Sequence, residues 1–152
     1  MSRLHPGSEN SGMGDYIQKF AASFGVHGMR RTTRVPNTRR PLAVAEFARD
    51  QGKLDTFRSL TMDAHWKEGK DIEDTAVLRG LAAASGLDPD RAIQAADDPA
   101  YARRLVDVRR EYRRLGVGGI PTFDFGTEQI EGCQSYDVIA DAASRAGAVR
   151  RP

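Results

Sequence analysis

The sequence of 152 residues holds one cysteine, Cys133, and three histidines, His5, His27 and His65. A single thiol excludes an intramolecular disulfide and any C-x-x-C redox pair within these residues. No Cys or His stands at ligand spacing from another, so no metal site is expected. No apolar run approaches the roughly 18 residues a membrane-spanning helix needs, and no membrane partner is expected. The opening MSRLHPGSEN has no hydrophobic stretch of the secretory type, which points to a cytoplasmic location. Neither sign of charge dominates: 23 basic against 21 acidic residues leave +2, against the pattern of a dedicated polyanion binder.

What is present is ordinary for a globular chain. Hydrophobic residues make up 39 %, to which 15 glycines add. That composition, at a length typical of one domain, is enough to bury a core and argues against disorder. A single domain over residues 1–152 is expected.

Punctuation by glycine, proline and capping residues divides the chain. Residues 1–14 read as an irregular lead-in. Asp15 is placed to cap a short helix carrying Tyr16, Ile17, Phe20 and Phe24, which Gly25 stops. Residues 26–36 read as a loop. Asn37 or Thr38 then caps a helix with Pro41 in its first turn and Leu42, Val44, Ala45 and Ala48 on its apolar side, ended by Gln51-Gly52. Helices follow from Lys53 to Glu68 through Leu54, Phe57, Leu60 and Ala64, and from Asp74 to Ser85 through Val77, Leu78 and Leu81. Asp88-Pro89 starts a short further one.

The next helix has the clearest period. Asp98 caps it and Pro99 opens it; Tyr101, Leu105, Val108, Tyr112 and Leu115 follow before Gly116. At about 100° per residue these five occupy a sector about 80° wide, so one face is expected to pack on a core. Arg103, Arg110 and Arg114 line the opposite side. Asp107 and Glu111 interrupt their positive field and no aromatic stacking platform accompanies it, which favours a solvated face over nucleic-acid binding.

The period then changes from helical to alternating. Ile120 to Phe125 reads as a strand, Gly126-Thr127 as a turn and Glu128 to Glu131 as the returning strand. Ser135 caps a last helix with Val138, Ile139, Ala142 and Ala146 facing inward, and the tail from Gly147 is expected to fray. Pro121 opens its strand without an N–H to donate. Either a trans proline at an edge-strand start or a cis bond, with the preceding peptide groups turned to a ligand, accommodates it.

Gly116-Val117-Gly118-Gly119-Ile120-Pro121-Thr122-Phe123 after a long helix, then a hairpin and the turn Gly132-Cys133-Gln134, resembles the second half of the DsbA-like thioredoxin family. Pro36-Asn37-Thr38-Arg39-Arg40, Glu46 to Lys53, Glu68-Gly69-Lys70-Asp71-Ile72 and Val77-Leu78 through Gly86-Leu87-Asp88 look like its FrnE-like branch. That branch shades into 2-hydroxychromene-2-carboxylate isomerases and kappa-class glutathione transferases. The resemblance covers about residues 36–147, and His5-Pro6 is similar to the end of the second core strand.

The resemblance implies a predominantly helical α/β fold of thioredoxin (DsbA) type, with a large all-helical insertion over about 37–97. The long helix, β-hairpin and last helix of the core then occupy about 98–147. The family's first core strand and active-site helix, with the C-x-x-C or serine turn, find no counterpart, so no catalytic residue is assigned. Redox activity as a thiol–disulfide oxidoreductase is not expected of these residues alone.

The substrate-binding residues the resemblance implies are Gly119, Ile120, Pro121, Asn37, Cys133 and Gln134. The Ile120 backbone is similar to the edge that pairs with an extended peptide or with glutathione. Gly132-Cys133-Gln134 is similar to the turn that receives a ligand carboxylate in glutathione-using relatives. Asn37 matches a position near the active site, although helix capping also explains it. Cys133 falls where the family has a small residue; a lone thiol there reads first as a buried small side chain, and the helix start beside it offers the alternative of a reactive thiol. Without a neighbouring first strand the hairpin edge lies open, so a homo-oligomer is expected.

Overall fold

Three aspartates start helices by the same chemistry. In the computed structural model, which describes residues 10–30 and 35–149 with side chains from Asp15 onward, the Asp74 carboxylate accepts from the Ala76 and Val77 amides. Asp88 accepts from Asp90 and Arg91, and Asp98 from Ala100. Each satisfies amides that a helix leaves unpaired in its first turn.

Helix ends are equally regular. Gly52 and Gly86 take left-handed φ values of 65° and 76°, and the next residue's amide reaches back to the Ala48 and Ala82 carbonyls at 2.8 and 2.9 Å. This closure needs a residue without a Cβ penalty at positive φ.

Among the described residues the order is α1 (Asn10–Ser23), α2 (Arg39–Asp50), α3 (Leu54–Trp66), α4 (Thr75–Ala84), α5 (Pro89–Asp97), α6 (Pro99–Arg114), β1 (Thr122–Asp124), β2 (Gln129–Glu131) and α7 (Tyr136–Arg145). The chain divides into two compact units at Leu105–Val106, within α6. In the first, α2 packs on α3 and α5, and α4 on α3 and α5. Val44, Phe47, Phe57, Leu78, Leu81 and Leu87 form its core together with six alanines. In the second, β1 and β2 pair antiparallel with Thr122 opposite Glu131, Phe123 opposite Ile130 and Asp124 opposite Gln129.

Several expectations change. The helix expected after Asp15 begins at Asn10; Gly12 and Gly14 cost about 1 kcal/mol each in a helix without stopping it. His5-Pro6, residues 31–34 of the expected loop and the tail from residue 150 lie outside the described residues. Leu42 is exposed because α2 turns Pro41, Val44, Phe47 and Ala48 inward, and at about 100° per residue Leu42 falls nearly opposite Val44.

The largest correction concerns α6, which buries no residue. Tyr101 packs partly against the core of the first unit, whereas Val108, Tyr112 and Leu115 are exposed. The period aligns apolar side chains, but only a facing element buries them. In α7, Ala142 is buried and Ile139 half-buried, while Val138 and Ala146 face solvent. Ser135 occupies the cap position of α7 in extended backbone, but its side chain makes no capping bond.

Candidate functional site

The hairpin sets out the candidate site. Its register places hydrogen-bonded pairs at Phe123 and Ile130, and the pairing extends to both flanks. Phe125 donates to the Glu128 carbonyl at 3.0 Å and Gly132 to the Pro121 carbonyl at 2.8 Å. In such a ladder the alternate residues, Thr122 and Asp124, turn their N–H and C=O groups away from the partner strand. Among the described residues the sheet has two strands, so this outer edge of β1 has no strand partner there.

Ile120 continues that edge. The Ile120–Pro121 peptide is cis, Ile120 as a residue is 88 % exposed, and among the described residues neither its N–H nor its C=O is hydrogen-bonded. The flanking backbone is held firmly. The Thr122 hydroxyl donates to the Gly119 carbonyl at 2.6 Å, the Gly118 amide to a Glu131 carboxylate oxygen at 3.2 Å, and the Gln129 side-chain amide to the Leu115 carbonyl at 3.2 Å.

The turn after β2 brings Cys133 and Gln134 into the same unit. Gly132 takes φ of 80°. The Cys133 thiol is free and exposed. The Gln134 side-chain amide donates to the Glu131 carbonyl at 3.1 Å, which ties the turn to β2.

Asn37 belongs to the first unit. Its side-chain oxygen accepts from the Arg39 amide at 3.0 Å, and its own amide donates to a Glu73 carboxylate oxygen at 3.1 Å. Asn37 thus serves the first turn of α2, as its residue type allows. Beside it, the Arg40 guanidinium grips the Asp97 carboxylate through two bonds of 3.0 and 3.1 Å.

Sequence reasoning missed Thr122, Gln129 and Glu131, which orient the approach to Pro121. A signal for them existed. With a period of two, Gln129 and Glu131 share one face of β2 opposite Ile130, and the register puts Thr122 and Asp124 on that face.

Among the described residues no group of three or more acidic, His or Cys side chains is placed to hold a metal ion. No helix there is long and apolar enough to cross a membrane.

A helical cluster, a long helix, and a hairpin entered through a cis proline and left through a helix define a mostly helical chain of thioredoxin-like type. The model of the DSBA-like thioredoxin domain family matches residues 6–144, and the chain belongs to that family. Among solved structures, it is similar to a probable DsbA oxidoreductase from Streptomyces coelicolor, with a TM-score of 0.76 and 25 % identity. The match covers 93 % of this chain and 62 % of that protein, so this chain spans less than two thirds of its length. Comparison with curated proteins gives no match.

Proposed function

We propose that these residues are the substrate-holding part of a DsbA-like oxidoreductase scaffold of the FrnE-like branch, binding an extended peptide by strand addition along Ile120, Thr122 and Asp124. The outer edge of β1, which has no strand partner among the described residues, carries this reading. Its outward N–H and C=O groups run on from Ile120, whose own pair is free of protein partners among the described residues. An extended peptide satisfies such a row through its main chain, which gives affinity with little dependence on sequence. Thiol–disulfide exchange of the C-x-x-C type is not part of the proposal, because Cys133 is the single thiol of the 152 residues.

Calorimetric titration with an extended seven-residue peptide, and with its twin N-methylated at alternate positions, tests this. Binding of the first at least about tenfold tighter is expected, since methylation removes main-chain donors. Equal affinity would overturn strand addition. Reduced glutathione forms a second arm: if it binds and the peptide does not, the site belongs to the glutathione-using type, with the turn Gly132-Cys133-Gln134 receiving a carboxylate.

A second reading is self-association, favoured by the exposed row Val108, Tyr112 and Leu115 on α6. A monodisperse monomer in light scattering at micromolar concentration would sink it. Nucleic-acid binding has weaker support, because Arg110 and Arg114 are engaged by Asp107 and Glu111.

A further inference from the structure

We propose that Glu131 is a positioning residue for the Ile120 edge, fixing its direction through the Gly118 amide; this rests on the strand-addition reading above. The segment from Gly116 to Gly119 contains three glycines, and glycine backbone samples far more conformations than other residues. Left alone, it would present Ile120 in many orientations, and each would have to be ordered on binding.

Side chains of the hairpin remove that freedom at successive points. Gln129 donates to the Leu115 carbonyl at 3.2 Å, Glu131 accepts from the Gly118 amide at 3.2 Å, and Thr122 donates to the Gly119 carbonyl at 2.6 Å. Thr122 and Glu131 are cross-strand partners, so both side chains rise from one face and grip adjacent residues.

The close approach is matched by the glycine. A Cβ at position 118 would lie 3.2 Å from the Glu131 carboxylate oxygen, tighter than ordinary van der Waals contact. A side chain here would make the carboxylate give by a few tenths of an ångström, a shift that glycine spares it. A carboxylate acceptor also makes a stronger bond than a neutral one. The other carboxylate on this face, Asp124, is engaged elsewhere, accepting from the Gly126 amide at 2.8 Å and the Gln129 side chain at 3.2 Å. That leaves Glu131 as the acid that holds the approach to Pro121.

Amide hydrogen exchange by NMR on the full chain, for the wild type, Glu131→Ala and Glu131→Gln, tests the tether without any ligand. In Glu131→Ala the Gly118 amide is expected to exchange about tenfold faster, the size of one lost hydrogen bond. Glu131→Gln retains an acceptor oxygen and should return most of that protection. The Phe125 and Gly132 amides, which close the hairpin ladder, should not change in either variant. The Kd of the seven-residue peptide should rise about tenfold in Glu131→Ala and recover in Glu131→Gln.

An unchanged Gly118 rate in Glu131→Ala would overturn the proposal. So would equal acceleration of Phe125 and Gly132, which would reduce Glu131 to a hairpin stabiliser. Should the wild type not bind the peptide, strand addition fails, while the exchange pattern still decides whether Glu131 holds Gly118.

Discussion

The Tyr101 phenol donates a hydrogen bond to an Asp50 carboxylate oxygen at 3.0 Å, joining the first turn of α6 to the last residue of α2. Arg104, one turn further along α6, donates to both oxygens of the same carboxylate at 2.8 Å. Its guanidinium lies over the Tyr101 ring, 4.9 Å from the centroid. The same ring packs against the core, where it meets Phe47 edge-to-face with centroids 6.3 Å apart. One acid thus anchors the start of the long helix.

This anchor should fail in acid. Hydrogen bonding to Arg104, opposed by partial desolvation and aided by Tyr101, holds the Asp50 carboxyl below its ordinary 3.8. A depressed folded pKa means that the stabilisation is present above 3.8 and is lost as pH falls through the folded value. The melting temperature of the wild type should exceed that of Asp50→Asn by a constant margin from about pH 8 to about pH 5, and the margin should close in stronger acid. A margin unchanged at the lowest pH would show that the carboxylate's charge is irrelevant to the anchor.

At alkaline pH the other partner should report. Burial, then the hydrogen bond to Asp50, hold the Tyr101 phenol above its ordinary 10.0. Its contribution is present below 10.0 and is lost as pH rises through the folded value. The difference between ultraviolet titrations of the wild type and Tyr101→Phe isolates this phenol. It should ionise later than a free tyrosine, and Asp50→Asn should bring it only part of the way back, because burial remains.

Apolar residues of similar appearance in the sequence should differ widely in cost. Leu78 is fully buried in the α2–α5 core, and Leu78→Ala should destabilise by about 3 kcal/mol in urea denaturation. Tyr112 is 52 % exposed, and Tyr112→Ser should cost no more than about 0.5 kcal/mol. A loss near 2 kcal/mol at Tyr112, on the order of a buried side chain, would mean that a second copy covers this face of α6 in solution.

Helix α4 carries Leu78 and Leu81 into the core from a start set by one cap. Asp74→Ala leaves the Ala76 and Val77 amides without their acceptor and should cost about 1 kcal/mol. Asp74→Asn keeps the acceptor and should be close to neutral in the same denaturation measurement.

The helix boundaries were legible because capping is local chemistry. Asp74, Asp88 and Asp98 stand immediately before their helices, and Gly52, Gly86 and Gly116 two positions past the last residue of theirs, as the residue types allow. The hairpin was equally legible from its alternation around Gly126-Thr127. Burial was not. Leu42 and Val138 carry the same pattern as Val44 and Ala142, yet the former are exposed and the latter buried. Among the candidate site residues, Ile120 and Pro121 could be named from the glycine-rich approach. Asn37 could be named too, but its structural work at α2 and its bond to Glu73 needed coordinates.

By itself the sequence determined where the capped helices from α2 onward start and stop, since those signals act over three or four residues through amides, carbonyls and backbone freedom. It also determined which side of each element is apolar. Only the tertiary structure decided which of those sides is covered, and which side chains hold Gly118 and Gly119 in front of Pro121. Those outcomes depend on contacts between residues distant along the chain: Glu131 reaches back 13 positions to Gly118, and Tyr101 reaches 51 to Asp50. No local pattern records that a neighbour will be there.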